Sequence, residues 1–172
     1  MRALMRRLGL LTVVVMSIVL LAPGVPDAAG AVGAGPSATV GGFGFSRLPA
    51  GLGARSDFVY DYDDVDFTSA VWETGPDADG GYRVDLDITV MHGIRLSSPR
   101  ALQDWFIAYE ERPPAEARYV PVRIHGRRGW VSRDEVFWLV RPGVALAVRL
   151  DGARWTRSDV LRVARSGHEL QL

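Results

Sequence analysis

Five aspartates fall in the stretch DFVYDYDDVDF, residues 57–67. Carboxylates at that density suit calcium, which gathers several oxygen ligands. The spacing of Asp61, Asp63, Asp64 and Asp66 is wrong for a calcium loop, which also needs a glycine and a late glutamate. Alternation predicts an edge strand instead, with Phe58, Tyr60 and Tyr62 inward and Asp61 and Asp63 outward. Asp77-Ala78-Asp79-Gly80 begins like a second calcium loop but lacks the remaining ligands. Its Asp and Gly are what the positive-φ positions of a hairpin connection require. His92, His125 and His168 are the three histidines, and none pairs at metal spacing with another histidine. The chain has no cysteine, no Gly-x-Ser-x-Gly elbow, no phosphate loop and no dinucleotide fingerprint. No residue is therefore assigned a catalytic or metal-binding role, and no cofactor is expected. Carboxylates are plentiful enough to pair in space for acid–base chemistry, so a secreted hydrolase stands as the alternative function.

The densest stretch is HGRRGWVSRDEVFWLV, residues 125–140. Glycines on both sides of Arg127 and Arg128 predict a hairpin tip with both guanidiniums in solvent. With Trp130 beside them they form a candidate surface for an acidic partner protein. Arg133, Asp134 and Glu135 read as a polar turn between two strands. Trp130 and Trp138 are residue types that usually sit in a core or an interface.

The elements that position these residues follow from hydrophobic period. FTSAVWET (67–74) and YRVDLDITVM (82–91) predict a hairpin. In the second run Tyr82, Val84, Leu86, Ile88 and Val90 alternate with Arg83, Asp85, Asp87 and Thr89, which predicts one buried and one wet face. Ser98 and Pro99 open a helix over 98–112 whose apolar stripe is Leu102, Trp105, Phe106 and Tyr109. Pro113-Pro114 stops it. Val120–Ile124, VFWLV and Val144–Leu150 predict three antiparallel strands. Thr156 and Asp159 have capping-box spacing for a last helix that Gly167 ends. The expected fold is α+β, a mostly antiparallel, curved sheet with two helices.

The N-terminus predicts export. Arg2, Arg6 and Arg7 precede an apolar run at 8–22 that is shorter than the ~20 residues of a spanning helix. Ala29-Gly30-Ala31 is a small-x-small cleavage site, which predicts a signal peptide over 1–31 and no stable membrane span once it is removed. Residues 32–42, VGAGPSATVGG, read as a flexible leader, and 43–172 as one domain. Export removes three of the 20 basic residues and one of the 20 acidic ones, leaving 17 against 19. A net charge near −2 argues against nucleic acid as a partner.

Two blocks, SDFVYDYDDVDFTSAVWETGPDADGGYRVDL and VPVRIHGRRGWVSRDEVFWLVRPGVALAVRLDG with DVLRVA, resemble small secreted actinomycete proteins of unassigned function. The C-terminal third also resembles DUF4367-type envelope domains. There a valine-x-valine-x-glycine strand precedes a tryptophan strand, a glycine turn, another strand and a short helix. Val122 to Gly126, Trp138, Gly143 and Leu161 to Arg165 carry that pattern here. The resemblance implies an envelope or extracellular setting and no catalytic residue.

The functional expectation is a secreted, non-enzymatic binding or interaction module. Its ligand would be an apolar small molecule held by Trp105, Phe106, Tyr109 and Trp138 between helix 98–112 and the sheet. Val84, Leu86 and Val122 are the other expected sheet partners of that helix. The second version is an envelope protein docked on Arg127, Arg128 and Trp130.

Overall fold

A computed structural model describes residues 36–111 and 118–171. The expected signal peptide at 1–31 and the first part of the leader lie outside the described residues. In chain order the elements are β1 (Ala38–Val40), β2 (Phe43–Phe45), β3 (Ala54–Tyr62), β4 (Val65–Thr74), β5 (Arg83–His92) and α1 (Pro99–Tyr109). They continue with β6 (Val120–Ile124), β7 (Arg127–Val131), β8 (Glu135–Arg141), β9 (Val144–Leu150), α2 (Arg157–Ser166) and β10 (Gly167–Glu169). Seven strands form one antiparallel sheet in the order β3-β4-β5-β9-β8-β7-β6, and a small sheet has the order β1-β2-β10. The fold is α+β, as expected, with sheet dominant.

Local chemistry explains most boundaries. Asp63 and Asp64 both take left-handed φ, 52° and 60°, and turn β3 into β4 in two residues. The acidic stretch is thus a strand and its turn. β4 and β5 pair as expected, Phe67 opposite Met91 and Thr74 opposite Arg83. Asp77 Oδ1 accepts from the backbone N–H of Asp79 and of Gly81, at 3.0 and 2.7 Å, and holds their connection. Ser98 Oγ accepts from the Ala101 N–H at 3.2 Å to cap α1, with Pro99 in its first turn. The helix ends at Tyr109, short of the expected 112, because Glu110 is its C-cap and Glu111 turns to φ 45°. The Thr156 N–H and hydroxyl both donate to Asp159 Oδ2, at 2.9 and 2.7 Å, at the start of α2.

The region 120–150 departs from expectation. It holds four strands, not three. The turn is His125-Gly126, with φ 49° and 76°, and not Arg127-Arg128. Gly129, which reads as the far side of a turn, lies inside β7. A Cβ there would come within 2.6 Å of the Phe137 carbonyl oxygen and 2.7 Å of Trp138 Cβ. Close approach to β8, not turning, is what this glycine provides. Glu135 is also not part of a polar turn. It opens β8, opposite Arg149, and is 2% exposed.

Both faces of the large sheet are covered, which corrects the expectation of one wet face. On the first face, Leu86, Ile88, Val90, Trp138, Leu146 and Val148 pack with Val160, Val163 and Ala164 of α2 and with Val40, Phe43 and Phe45. On the second, Phe67, Met91, Phe137, Ala145 and Ala147 pack with Leu102 and Phe106 of α1. Ala145 and Ala147 of β9 are small and floor the helix. The leader expectation also fails from residue 38 onward, because Val40 is 2% exposed in the first-face core and β1 pairs with β2. Gly167 ends α2 in extended geometry and opens β10 directly, which joins β2.

Candidate functional site

The expected ligand layer between α1 and the sheet is filled. Trp105 and Tyr109 stack at 5.3 Å between ring centroids, Phe106 stacks on Phe137 at 4.2 Å, and Phe67 meets Tyr109 at 5.1 Å. Trp105 Nε1 donates to Asp63 Oδ2 at 3.1 Å, fixing the helix to the β3–β4 turn. Trp138 is not there. Adjacent residues of a strand point to opposite faces, so Phe137 meets α1 and Trp138 joins the other core with Leu86 and Val122. Val84 is exposed. The four residues expected to enclose a ligand therefore do not come together.

The expected docking surface is also divided. Arg127 and Arg128 are exposed on β7, but Trp130 is 2% exposed and stacks on Phe137 at 5.4 Å. The Arg128 guanidinium lies 5.7 Å from the Trp130 ring centroid. The arginines are exposed, whereas the ring under Arg128 is buried.

What the layer does contain is a cluster of carboxylates at its edge. The residues are Asp87 on β5, Glu110 at the end of α1 and Glu135 on β8, and all face Arg149 on β9. Arg149 donates to Glu135 Oε1 from Nε at 3.0 Å and from Nη2 at 2.7 Å, and Nη2 also donates to Glu110. The Tyr119 hydroxyl donates to the second oxygen of Glu135. Ser69 donates to Thr89 at 2.8 Å, and Thr89 donates to Asp87 Oδ1 at 2.9 Å. Burial raises the Asp87 carboxyl above its ordinary range, against the opposing pull of Thr89 and Arg149. Burial likewise raises the Tyr109 hydroxyl, which sits 3.1 Å from that of Tyr60. Burial opposes the charge on Arg149, but Glu135 and Glu110 more than offset it and hold the guanidinium ionised. These groups surround a cavity of about 40 Å³, the scale of a water molecule or two. Sequence reading missed the cluster, since its charged members come from four separate elements. Only the Glu135–Arg149 cross-strand pair was within reach of a register argument.

A second constellation pins the opposite end of the sheet. Asp85 is 0% exposed and accepts from the Gly53 N–H at 2.9 Å, Thr74 Oγ1 at 2.5 Å, Arg154 Nη1 at 2.5 Å and Arg83 Nε at 3.3 Å. Burial would raise this carboxyl, but those bonds outweigh it and hold the group below the ordinary carboxylate range. Its role is to tie three loops together.

A wider concavity lies elsewhere. A groove of about 690 Å³ opens between α2, the end of β2, β10 and the β6–β7 turn. One wall is a stripe of α2, Ser158, Arg162, Arg165 and Ser166, spaced i, i+4, i+7 and i+8. Arg47, His125 and His168 join the lining from the end of β2, the β6–β7 turn and β10. The stripe is the polar face of a helix whose other face, Val160, Val163 and Ala164, is buried. Among the described residues no carboxylate lines the groove. Arg162 pairs with Asp159 at 2.8 Å, while among the described residues Arg47 and Arg165 have no acidic partner. Ser166 Oγ is already used, donating to the Val163 carbonyl at 2.8 Å and accepting from the Arg47 N–H at 3.3 Å.

Among the described residues, no three His, Asp or Glu side chains converge closely enough to hold a metal ion. No protein-family model, curated protein or solved structure matches the chain.

Proposed function

We propose that the chain is an exported, non-enzymatic binding module of the envelope or extracellular space, and that it binds in the groove beside α2. The groove itself carries this reading. Its volume of about 690 Å³ is in the range of small-molecule sites, whereas the layer under α1 keeps only about 40 Å³. An apolar carrier needs the reverse arrangement. The basic n-region, apolar run and Ala29-Gly30-Ala31 support export.

Native mass spectrometry of protein recovered gently from the medium of its secreting host tests both halves. The expected species begins at Val32 and carries a small bound mass that Arg165→Glu loses. Protein found only in membranes with Met1 intact would defeat export. A bound mass indifferent to Arg165→Glu would move the site away from the groove.

A hydrolase remains the second reading, and the convergence of Asp87, Glu110 and Glu135 on one cavity favours it. Burial keeps Asp87 in the protonated form to higher pH than usual, as a general acid requires. Hydrolysis of a chromogenic ester or glycoside, lost in Asp87→Asn with the fold intact, would establish it.

A further inference from the structure

We infer that the α2 groove takes a small ligand bearing a phosphate group, gripped by Arg47 from the end of β2 and by Arg162 and Arg165 from α2. The inference rests on the binding reading above and names its ligand class.

Charge distribution is the first argument. The chain has 20 basic and 20 acidic residues, so an unselected surface patch mixes both signs. Several arginines outside the groove do so, although Arg127 and Arg128 on β7 have no acidic partner among the described residues. Arg55 pairs with Asp57, Arg95 with Asp63 and Asp64, Arg100 with Asp104 and Arg141 with Glu169. In the groove the pattern stops. Three guanidiniums and two imidazoles share one concavity, and Asp159 beside it is divided between Arg162 and the α2 cap. Cations held together without counter-charge raise the local anion concentration, the more so in a concave site.

Geometry is the second. A guanidinium offers a planar fork of donors that matches two oxygens of an oxyanion. Two such forks on different elements can each take a separate oxygen pair of a tetrahedral phosphate, while a carboxylate has only one pair to give. The Ser158 hydroxyl adds a neutral donor on the α2 side. The space beyond the cations exceeds what a bare phosphate fills, so the ligand has an organic body. An extended polyanion fits less well, since the net charge of the chain is zero.

The test is titration of the exported chain with sodium pyrophosphate and with glycerol 3-phosphate in ~0.15 M salt, where surface charge alone is largely screened. Amide NMR shifts report the place and calorimetry the affinity. Saturable shifts at Ser158, Gly167 and His168 are expected, absent with sodium acetate. Arg47→Ala and Arg165→Ala should each weaken binding about ten-fold, the loss of one charge-assisted bond, without moving the unfolding midpoint, because both side chains are exposed. Sedimentation with phosphatidylglycerol vesicles then assigns the phosphate to a lipid headgroup, and binding of glycerol 3-phosphate without sedimentation assigns it to a soluble ligand. No saturable shift, an equal response to acetate, or affinity unchanged in both variants overturns the inference. If the mass carried by secreted protein is lost in Arg165→Glu but contains no phosphorus, the phosphate assignment fails while the groove remains the binding site.

Discussion

Asp85 and Arg154 lie 69 positions apart in the chain and 2.5 Å apart in the fold. The carboxylate is fully buried, and the arginine also donates to the Gly51 carbonyl at 2.9 Å. One ion pair therefore fastens the 51–53 loop and the β9–α2 connection to the middle of the chain.

Asp85→Ala is expected to cost about 3–5 kcal/mol, the usual loss when one member of a buried pair is removed. Urea denaturation measures it. The sign with pH follows from the lowered carboxyl. Its stabilisation is complete above the unfolded-state value of about 4 and is lost as pH falls through the lower folded value. Asp85→Asn should accordingly flatten the acid limb of a stability–pH curve. An unchanged acid limb would show that the pair is not coupled to folding.

Asp87, two residues on, has the opposite sign. Its carboxyl is raised by burial, so ionisation favours the unfolded chain, and stability declines as pH rises from about 4 through the folded value. Asp87→Asn should gain on the parent across that interval, because the amide carries no charge to bury. Thermal melts of both proteins between pH 4 and 7 check this, and a gap that stays constant with pH would refute it.

Phe106→Ala is expected to cost about 3–5 kcal/mol, because the ring is 2% exposed and stacked on Phe137. Chemical denaturation against the parent reads the difference. A loss well under that range would mean that the layer has room the packed rings do not suggest.

Gly129→Ala should destabilise by about 1–3 kcal/mol, the scale of overpacking, since the new methyl meets β8 backbone that cannot turn aside. Gly126→Ala tests a different cause. Nothing lies within 4 Å of its Cβ position, so its cost comes from φ 76° alone. Comparing the two by equilibrium unfolding separates crowding from backbone conformation.

The features legible in the sequence are the ones local chemistry dictates. α1 was readable because Ser98, Pro99 and a stripe at helical spacing lie within twelve residues. The β4–β5 hairpin and the α2 cap were readable for the same reason. β1 and β10 were not, since three residues carry no period. Glu135 was misread because Arg133 and Asp134 beside it imply solvent, while Arg149 and Tyr119, which justify burying it, come from other strands and loops. The groove was half visible. Ser158, Arg162, Arg165 and Ser166 mark the wet face of an amphipathic helix, but only the pairing of β10 with β2 brings Arg47 and His168 to it.

That small sheet has a consequence for when the molecule can form. β2 receives one partner from residues just before it and the other from residues 167–169. Phe43 and Phe45 therefore wait for nearly the whole described chain before their layer closes over the α2 core. Such a contact between distant positions makes folding slow to begin and dependent on late-made residues. A chain threaded through a membrane from its N-terminus would stay open until those residues had crossed, and would lock only on the far side.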